Sequence, residues 1–190
     1  MIYWLRAMSI KPKFHKLVNT LDKENIDAAL VVSEENIRYF TGADMAGSAL
    51  IASREGWGVL LVPLLEYTRA VSENKIRDVE VKAYYRYELP LDEPYLIKKK
   101  YLDAIASVIE SIKPKRIACD YNMVVKSIGD ELIKKLGGYE IVEFSEKITA
   151  MRMIKEVEEV MTKHLEDIAM KQQEMMKQME QQEEEEEEEE

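Results

Sequence analysis

The chain has 190 residues, 46% of them apolar and 34% charged, and a formal net charge of −10. That length suits one domain with an appendage and can bury a real core. The eight Glu of residues 183–190 supply most of the negative charge, so the rest is nearly neutral; no Lys/Arg stripe interleaved with aromatics marks a nucleic-acid binder, and no apolar run approaches the ~20 residues of a membrane span.

The opening "MIYWLRAM" is too short and too mixed for a signal peptide. Residues 1–8 read as an N-terminal extension, with translation expected to begin at Met8. Phe14, Leu17, Val18 and Leu21 follow the i, i+3, i+4, i+7 spacing of an amphipathic helix, with Pro12 in its first turn. "AALVV" (28–32) predicts a strand covered on both faces. Residues 34–40 predict a short helix ending at Gly42. "SALIAS" (48–53) and "WGVLLVP" (57–63) predict two strands joined by a hairpin turn, with Gly56 at the position needing positive φ. A helix over about 64–73 comes next, then a strand in "VEVKAYY" (79–85) and a Pro-punctuated loop in "YELPLDEP" (87–94).

The spacing of Tyr101, Ile105, Val108 and Ile112 predicts a helix over about 95–112, with Lys98–Lys100 as a solvated part of its surface. "RIACD" (116–120) predicts a strand. Its Cys119, the one cysteine of the chain, excludes an internal disulfide and a Cys-based zinc site. It reads as a small buried hydrophobe, a reactive thiol being the alternative. A helix over about 124–135, Gly137-Gly138 and the strand "YEIVEF" (139–144) complete an alternation of strands and helices. This pattern predicts an α/β fold with a mixed sheet.

Beyond Phe144 the sequence changes character. "SEKITAMRMIKEVEEVMTKHLEDIAMKQQEMMKQMEQQ" lacks Gly and Pro and is dense in good helix formers. Ile154, Met161, Ile168 and Met175 recur every seventh residue, with Val157, Leu165 and Met179 alongside. A helix of about 30 residues would reach ~45 Å, and its far half must be solvated or pair with another helix. The polyglutamate end is self-repelling low complexity, with disorder as its expected state.

Three segments carry a resemblance. They are Asn-x-x-Tyr-x-Thr-Gly (Asn36, Tyr39, Thr41, Gly42), the strand-loop-strand ending in Val62-Pro63, and Met-Arg-x-Ile-Lys-x-x-Glu-Glu (Met151–Glu159). Together, over about residues 9–160, they resemble the N-terminal domain of the creatinase, aminopeptidase P and prolidase family, with prokaryotic Xaa-Pro dipeptidases nearest in look. The resemblance implies a ribonuclease H-like fold, a mixed six-stranded sheet flanked by helices, here followed by a long C-terminal helix. It also implies a second, "pita-bread" catalytic domain that cleaves before proline using two divalent metals, such as Co or Mn, held by two Asp, one His and two Glu. This sequence departs from that pattern, because the segment after Arg152–Glu159 runs into Gln, Met and Glu repeats.

The chemistry can be read without the family. A two-metal hydrolase needs several carboxylates, usually with a His, converging on ions about 3.5–4 Å apart. The two histidines, His15 and His164, have no spaced ligand partners of that kind. No nucleophile elbow, P-loop or dinucleotide fingerprint is present either. The expectation is no catalytic residue, no metal ligand and no cofactor in this chain.

For the motif residues two readings stand. In one, Asn36 and Thr41 close turns and cap the helix, and Tyr39 and Phe40 point to different sides of it, one of the two packing on the sheet. In the other, the loop 42–49 faces an active-site mouth, as the resemblance implies. Asn36, Tyr39, Thr41, Gly42, Asp44 and Met45 then form a substrate-access loop. Arg152, Lys155, Glu158 and Glu159 read as a surface helix with ion pairs or as an interdomain linker. The expected organisation is an extension (1–8), the family-like domain (9–150), a linker-type helix (151–182) and an acidic tail (183–190). The expected role is the N-terminal domain of an Xaa-Pro dipeptidase-like metallopeptidase, governing substrate access and dimerisation. The alternative is a stand-alone interaction protein using the Met-rich helix and acidic tail. The expected partners are a weakly bound second copy and a separate catalytic domain, with no nucleic acid and no membrane; the expected compartment is the cytoplasm.

Overall fold

A computed structural model describes residues 2–85, 92–153, 164–165, 167–172 and 175, with side chains described from residue 13 onward. The chain divides into two compact units, one of residues 10–153 and one of residues 1–9 with 154–190. In the second unit the described residues 164–175 are helical, and Leu165, Ile168, Met170 and Met175 are exposed.

The first unit is built on one sheet. Helix α1 (Ile2–Lys23) precedes β1 (Ala28–Val31), α2 (Glu34–Thr41), β2 (Ala49–Ser53), β3 (Gly58–Pro63), α3 (Tyr67–Glu73) and β4 (Val79–Tyr84). Then come β5 (Leu96–Ile97), α4 (Tyr101–Ile112), β6 (Arg116–Cys119), α5 (Lys126–Lys135), β7 (Glu140–Glu143) and α6 (Ser145–Met153). The strand order is β5-β4-β3-β2-β1-β6-β7. β2 is antiparallel to both its neighbours, and every other pairing is parallel. The central strands β1 and β2 are buried throughout, which is why they read as unbroken apolar runs rather than alternating ones.

The pleat sorts these strands into two cores. Ala29, Val31, Leu50, Leu60 and Val62 meet Phe14, Leu17, Leu21, Phe40 and Phe144 on one face. Leu30, Ile51, Leu61 and Ile117 meet Ile105 and Ile109 of α4, Leu132 of α5 and Leu136 just after it on the other. The β2–β3 turn holds Gly56 at φ +95, as its sequence predicts, closed by the Trp57 carbonyl accepting from Ser53 N–H at 2.8 Å. At Gly58 a Cβ would lie 2.8 Å from the Ile51 carbonyl oxygen, so β3 can approach β2 only with glycine there.

Three elements differ from the sequence expectation. The sheet has seven strands, not six: β5 adds two residues to the outer edge of β4 through Ala83 N–H to Tyr95 C=O (2.8 Å) and Tyr85 N–H to Ile97 C=O (3.0 Å). A two-residue strand carries no periodicity, so its residues read as the start of a helix. That helix instead begins at Tyr101, and Lys98–Lys100 are exposed residues ahead of it. Finally, α1 runs through Pro12 rather than starting there. The missing proline N–H costs a helix one bond, but the preceding Leu, Arg, Ala and Met favour continuation.

Candidate functional site

The chain builds β1 through β5 to one side of the sheet and then returns to place β6 and β7 on the other. The strand order therefore reverses between β1 and β6, and parallel strands leave a crevice at their carboxyl ends at such a point. β1 passes into Val32-Ser33 and α2 there, and β6 ends at Asp120.

Asp120 is fully buried. Its Oδ1 accepts the Val32 N–H at 2.7 Å, and its Oδ2 accepts the Ser33 N–H at 3.3 Å and the Asn36 side-chain amide at 2.8 Å. Burial pushes the carboxyl above its ordinary range, against the pull of these donors. Asn36, also fully buried, turns its Oδ1 to Arg152 Nη1 at 2.9 Å. Arg152 Nη2 reaches Glu35 Oε2 at 3.1 Å. A continuous polar chain thus runs from the end of β6, through the first turn of α2, to the last turn of α6.

A second bond runs beside it. The Tyr39 hydroxyl donates to the Met151 carbonyl at 2.9 Å, a side-chain bond to the backbone of α6. The Tyr39 ring lies under the Lys13 ammonium, 4.6 Å from its centroid, and packs edge-on against Phe40 at 5.0 Å. Asn36 and Tyr39, one α-helical turn apart, therefore hold two consecutive residues of α6. The first motif of the sequence grips the start of the last.

Thr41 and Gly42 end α2. Thr41 Oγ1 donates to the Ile37 carbonyl at 2.8 Å and accepts the Ala43 N–H at 3.1 Å. Gly42, at φ +80, sends its N–H to the Arg38 carbonyl at 2.9 Å. That is the left-handed cap for which glycine has no Cβ penalty. In the loop beyond, Asp44 is exposed, pairs with Arg38 at 3.2 Å and gives its N–H to Glu73 at 3.2 Å. Arg69 donates to the Asp44 carbonyl at 2.9 Å and to Glu73 at 2.8 Å. The Arg69 bond holds Glu73 below the usual carboxylate range. Met45 faces inward and is only 3% exposed, packed in the α1/α2 core. A thioether in that position fills the core and presents nothing to a visitor, so Asp44 is the outward side chain of this pair.

His15 is half-buried edge-on to Phe14, and His164 is exposed. Among the described residues no three His, Cys, Asp or Glu side chains are grouped so as to hold a metal ion. No helix of the described residues is long and apolar enough to cross a membrane. Cys119 is buried, and burial pushes its thiol well above the ordinary range, where it stays protonated. Lys155, Glu158 and Glu159 lie outside the described residues.

Asp120 was not legible as a site residue from sequence. It closes an apolar strand, where a lone carboxylate reads as the strand's exit to solvent, and its partners lie 84–88 residues away. The available signal was its place at the end of a buried strand beside the reversal of strand order, which becomes visible only once the topology is known.

The profile of the Creatinase/Prolidase N-terminal domain matches residues 13–154. An Xaa-Pro dipeptidase of Pyrococcus horikoshii is 32% identical over 150 residues, which cover 78% of this chain and 36% of that protein. A solved prolidase from the same organism superposes with a TM-score of 0.59 at 27% identity, over 78% of this chain and 37% of that one. A proline dipeptidase structure from Streptococcus pneumoniae gives 0.57 at 21% identity, over 75% of this chain and 98% of that one, a likeness of fold. The chain spans well under half the length of the curated relatives it matches.

Proposed function

The chain belongs to the Creatinase/Prolidase N-terminal domain family, and from that premise we propose that it serves as the non-catalytic domain of an Xaa-Pro dipeptidase-like metallopeptidase, acting in the cytoplasm. Its work is to shape substrate access and to support dimerisation. Hydrolysis, with divalent metals such as Co or Mn, belongs to a catalytic domain that these 190 residues do not include. The observation that carries this reading is the grip of Asn36 and Tyr39 on Arg152 and Met151. It fixes the position and direction of α6 immediately before the segment that holds Lys155, Glu158 and Glu159, where the family resemblance puts a linker. A peptidase must present its two domains at a set angle, and two bonds to adjacent residues constrain the direction of a helix better than one.

The loop 42–49 suits an access role because it is held rigidly. The Tyr84 and Tyr101 hydroxyls donate to the Gly47 and Ser48 carbonyls, each at 2.9 Å, and Arg69 ties Asp44 to α3. Hydrolysis of an Xaa-Pro dipeptide in Co²⁺ or Mn²⁺ tests the reading, with the chain alone and beside a separately expressed catalytic domain. No turnover alone and enhanced turnover in the mixture are expected. Turnover by the repurified chain alone would overturn it.

A second reading, a stand-alone interaction protein, draws on the exposed Leu165, Ile168 and Met175. Their spacing of three and seven residues puts them on one side of a helix, as in a weak helix-pairing seam. It is favoured if self-association persists when no catalytic domain enhances turnover.

A further inference from the structure

We propose that the cleft at the carboxyl ends of β1 and β6 is a binding site for a small apolar molecule bearing a protonated amine, the chemistry of a free peptide N-terminus beside an apolar side chain. The cleft sits where the strand order reverses, the place at which open α/β sheets take their ligands. Its volume of ≈ 430 Å³ falls within the ~300–1,000 Å³ of small-molecule sites. Its walls come from four separate segments: Val32 and Glu34 after β1, Ser48 before β2, Tyr101 opening α4, and Met123–Val125 with Ile128 after β6.

Three of the apolar wall residues are unusually open. Met123 is 41% exposed, Val125 68% and Ile128 41%. A single exposed Val or Ile means little, but three converging on one concave surface leave a contiguous apolar wall. The charged side chains lining the cleft are both carboxylates, Glu34 and Glu35. Glu35 is engaged by Arg152 at 3.1 Å. Glu34 has only a long bond from the Gly47 N–H, at 3.4 Å, and no ion pair among the described residues. An anion beside an apolar wall attracts a cation more strongly than one in open water, since the wall displaces the screening solvent. The complementary ligand is therefore positive at one end and apolar at the other.

The cleft is also preformed. Asp120 fixes the backbone of Val32 and Ser33, and Tyr101 fixes that of Ser48. Little ordering has to accompany binding.

Titration of the ¹⁵N-labelled full-length chain with L-leucinamide, followed by NMR at about pH 6.5 where its α-amine is protonated, tests the proposal. Saturable shifts are expected at the amides of Ser33, Gly47, Ser48 and Val125. Neutral N-acetyl-L-leucinamide should bind about fivefold more weakly, the scale of a partly exposed ion pair. Glu34→Gln should bring the two ligands to equal affinity, and Val125→Arg should abolish the shifts. Both side chains are exposed, so the remaining spectrum should be unchanged. Shifts that do not saturate, equal affinity of the two ligands for the unaltered chain, or a preference that survives Glu34→Gln would overturn the proposal.

Discussion

Asp120 faces three donors and, among the described residues, pairs with no cation, so it tests how a buried carboxylate is kept. Asp120→Asn retains the shape but turns an NH₂ toward at least one N–H, leaving a buried donor without an acceptor. A loss of about 1.5–3 kcal/mol is expected in urea unfolding, the range for hydrogen bonds to a charged group. Asp27 behaves oppositely. Its Oδ2 accepts the Lys115 and Arg116 N–H groups at 2.8 and 3.0 Å, and Arg54 lies 3.2 Å from its Oδ1. The Arg116 backbone bond, foremost, holds its carboxyl below the ordinary value of 3.8, with the Lys115 bond and the Arg54 charge assisting. A depressed folded pKa stabilises the fold above the unfolded value, and that contribution is lost as pH falls through the folded one. Asp120, with its pKa raised, contributes with the other sign: its share is full below 3.8 and is lost as pH rises. Asp27→Asn is therefore expected to lower stability at pH 7 and to flatten the decline measured on acidification below pH 3.8. An equal decline in both proteins would remove Asp27 from the acid response.

Among the elements, α2 is the informative one. Thr41 and Gly42 were legible as capping residues because their chemistry is local, and both act within five residues of themselves; Asn36 was read as turn-closing too, but its side chain bonds Asp120 and Arg152 instead. Asn36 and Tyr39 act across more than a hundred residues, and nothing in local spacing points to such a partner. Sequence periodicity located β1, β3 and the buried face of α1, since burial on one or both faces leaves a pattern. It missed β5, which is too short to leave one, and it set Met45 outward because an isolated Met in a small-residue loop has no face to declare. Tyr39→Phe keeps the ring over which Lys13 sits and deletes only the hydroxyl that serves the Met151 carbonyl. A loss of about 1 kcal/mol is expected, the net worth of one hydrogen bond. Hydrogen exchange should also quicken at the amides of α6 while those of β1 and β2 are unaffected. Unchanged exchange in α6 would mean that the hydroxyl does not hold that helix.

Across the whole molecule, residues 10–153 form one compact unit, and that unit is expected to fold on its own. Both cores, the full sheet and the α2–α6 contacts lie within that unit. Deletion of residues 161–190 should leave the cooperative unfolding transition nearly unchanged, and a molten or insoluble product would contradict this. The exposed Leu165, Ile168 and Met175 carry the expectation of weak self-association. Two polyglutamate tails repel one another less as salt rises. Sedimentation equilibrium should therefore show a dimer that tightens with salt and loosens on Ile168→Lys.

If the Asn-x-x-Tyr motif exists here to hold the end of α6, Asn36 and Arg152 must be energetically coupled, and a double-mutant cycle on the two measures that coupling directly. Asn36→Ala also strips a donor from Asp120, and Arg152→Ala also releases Glu35. The cycle cancels these separate losses and isolates the 2.9 Å bond between the two side chains. Arg152 is partly exposed, which screens the bond. Equilibrium unfolding of the four proteins is expected to give a coupling of about 1 kcal/mol, within the range for residues in direct contact. Additivity within about 0.3 kcal/mol would contradict it, because the two motifs would then lie side by side without holding one another.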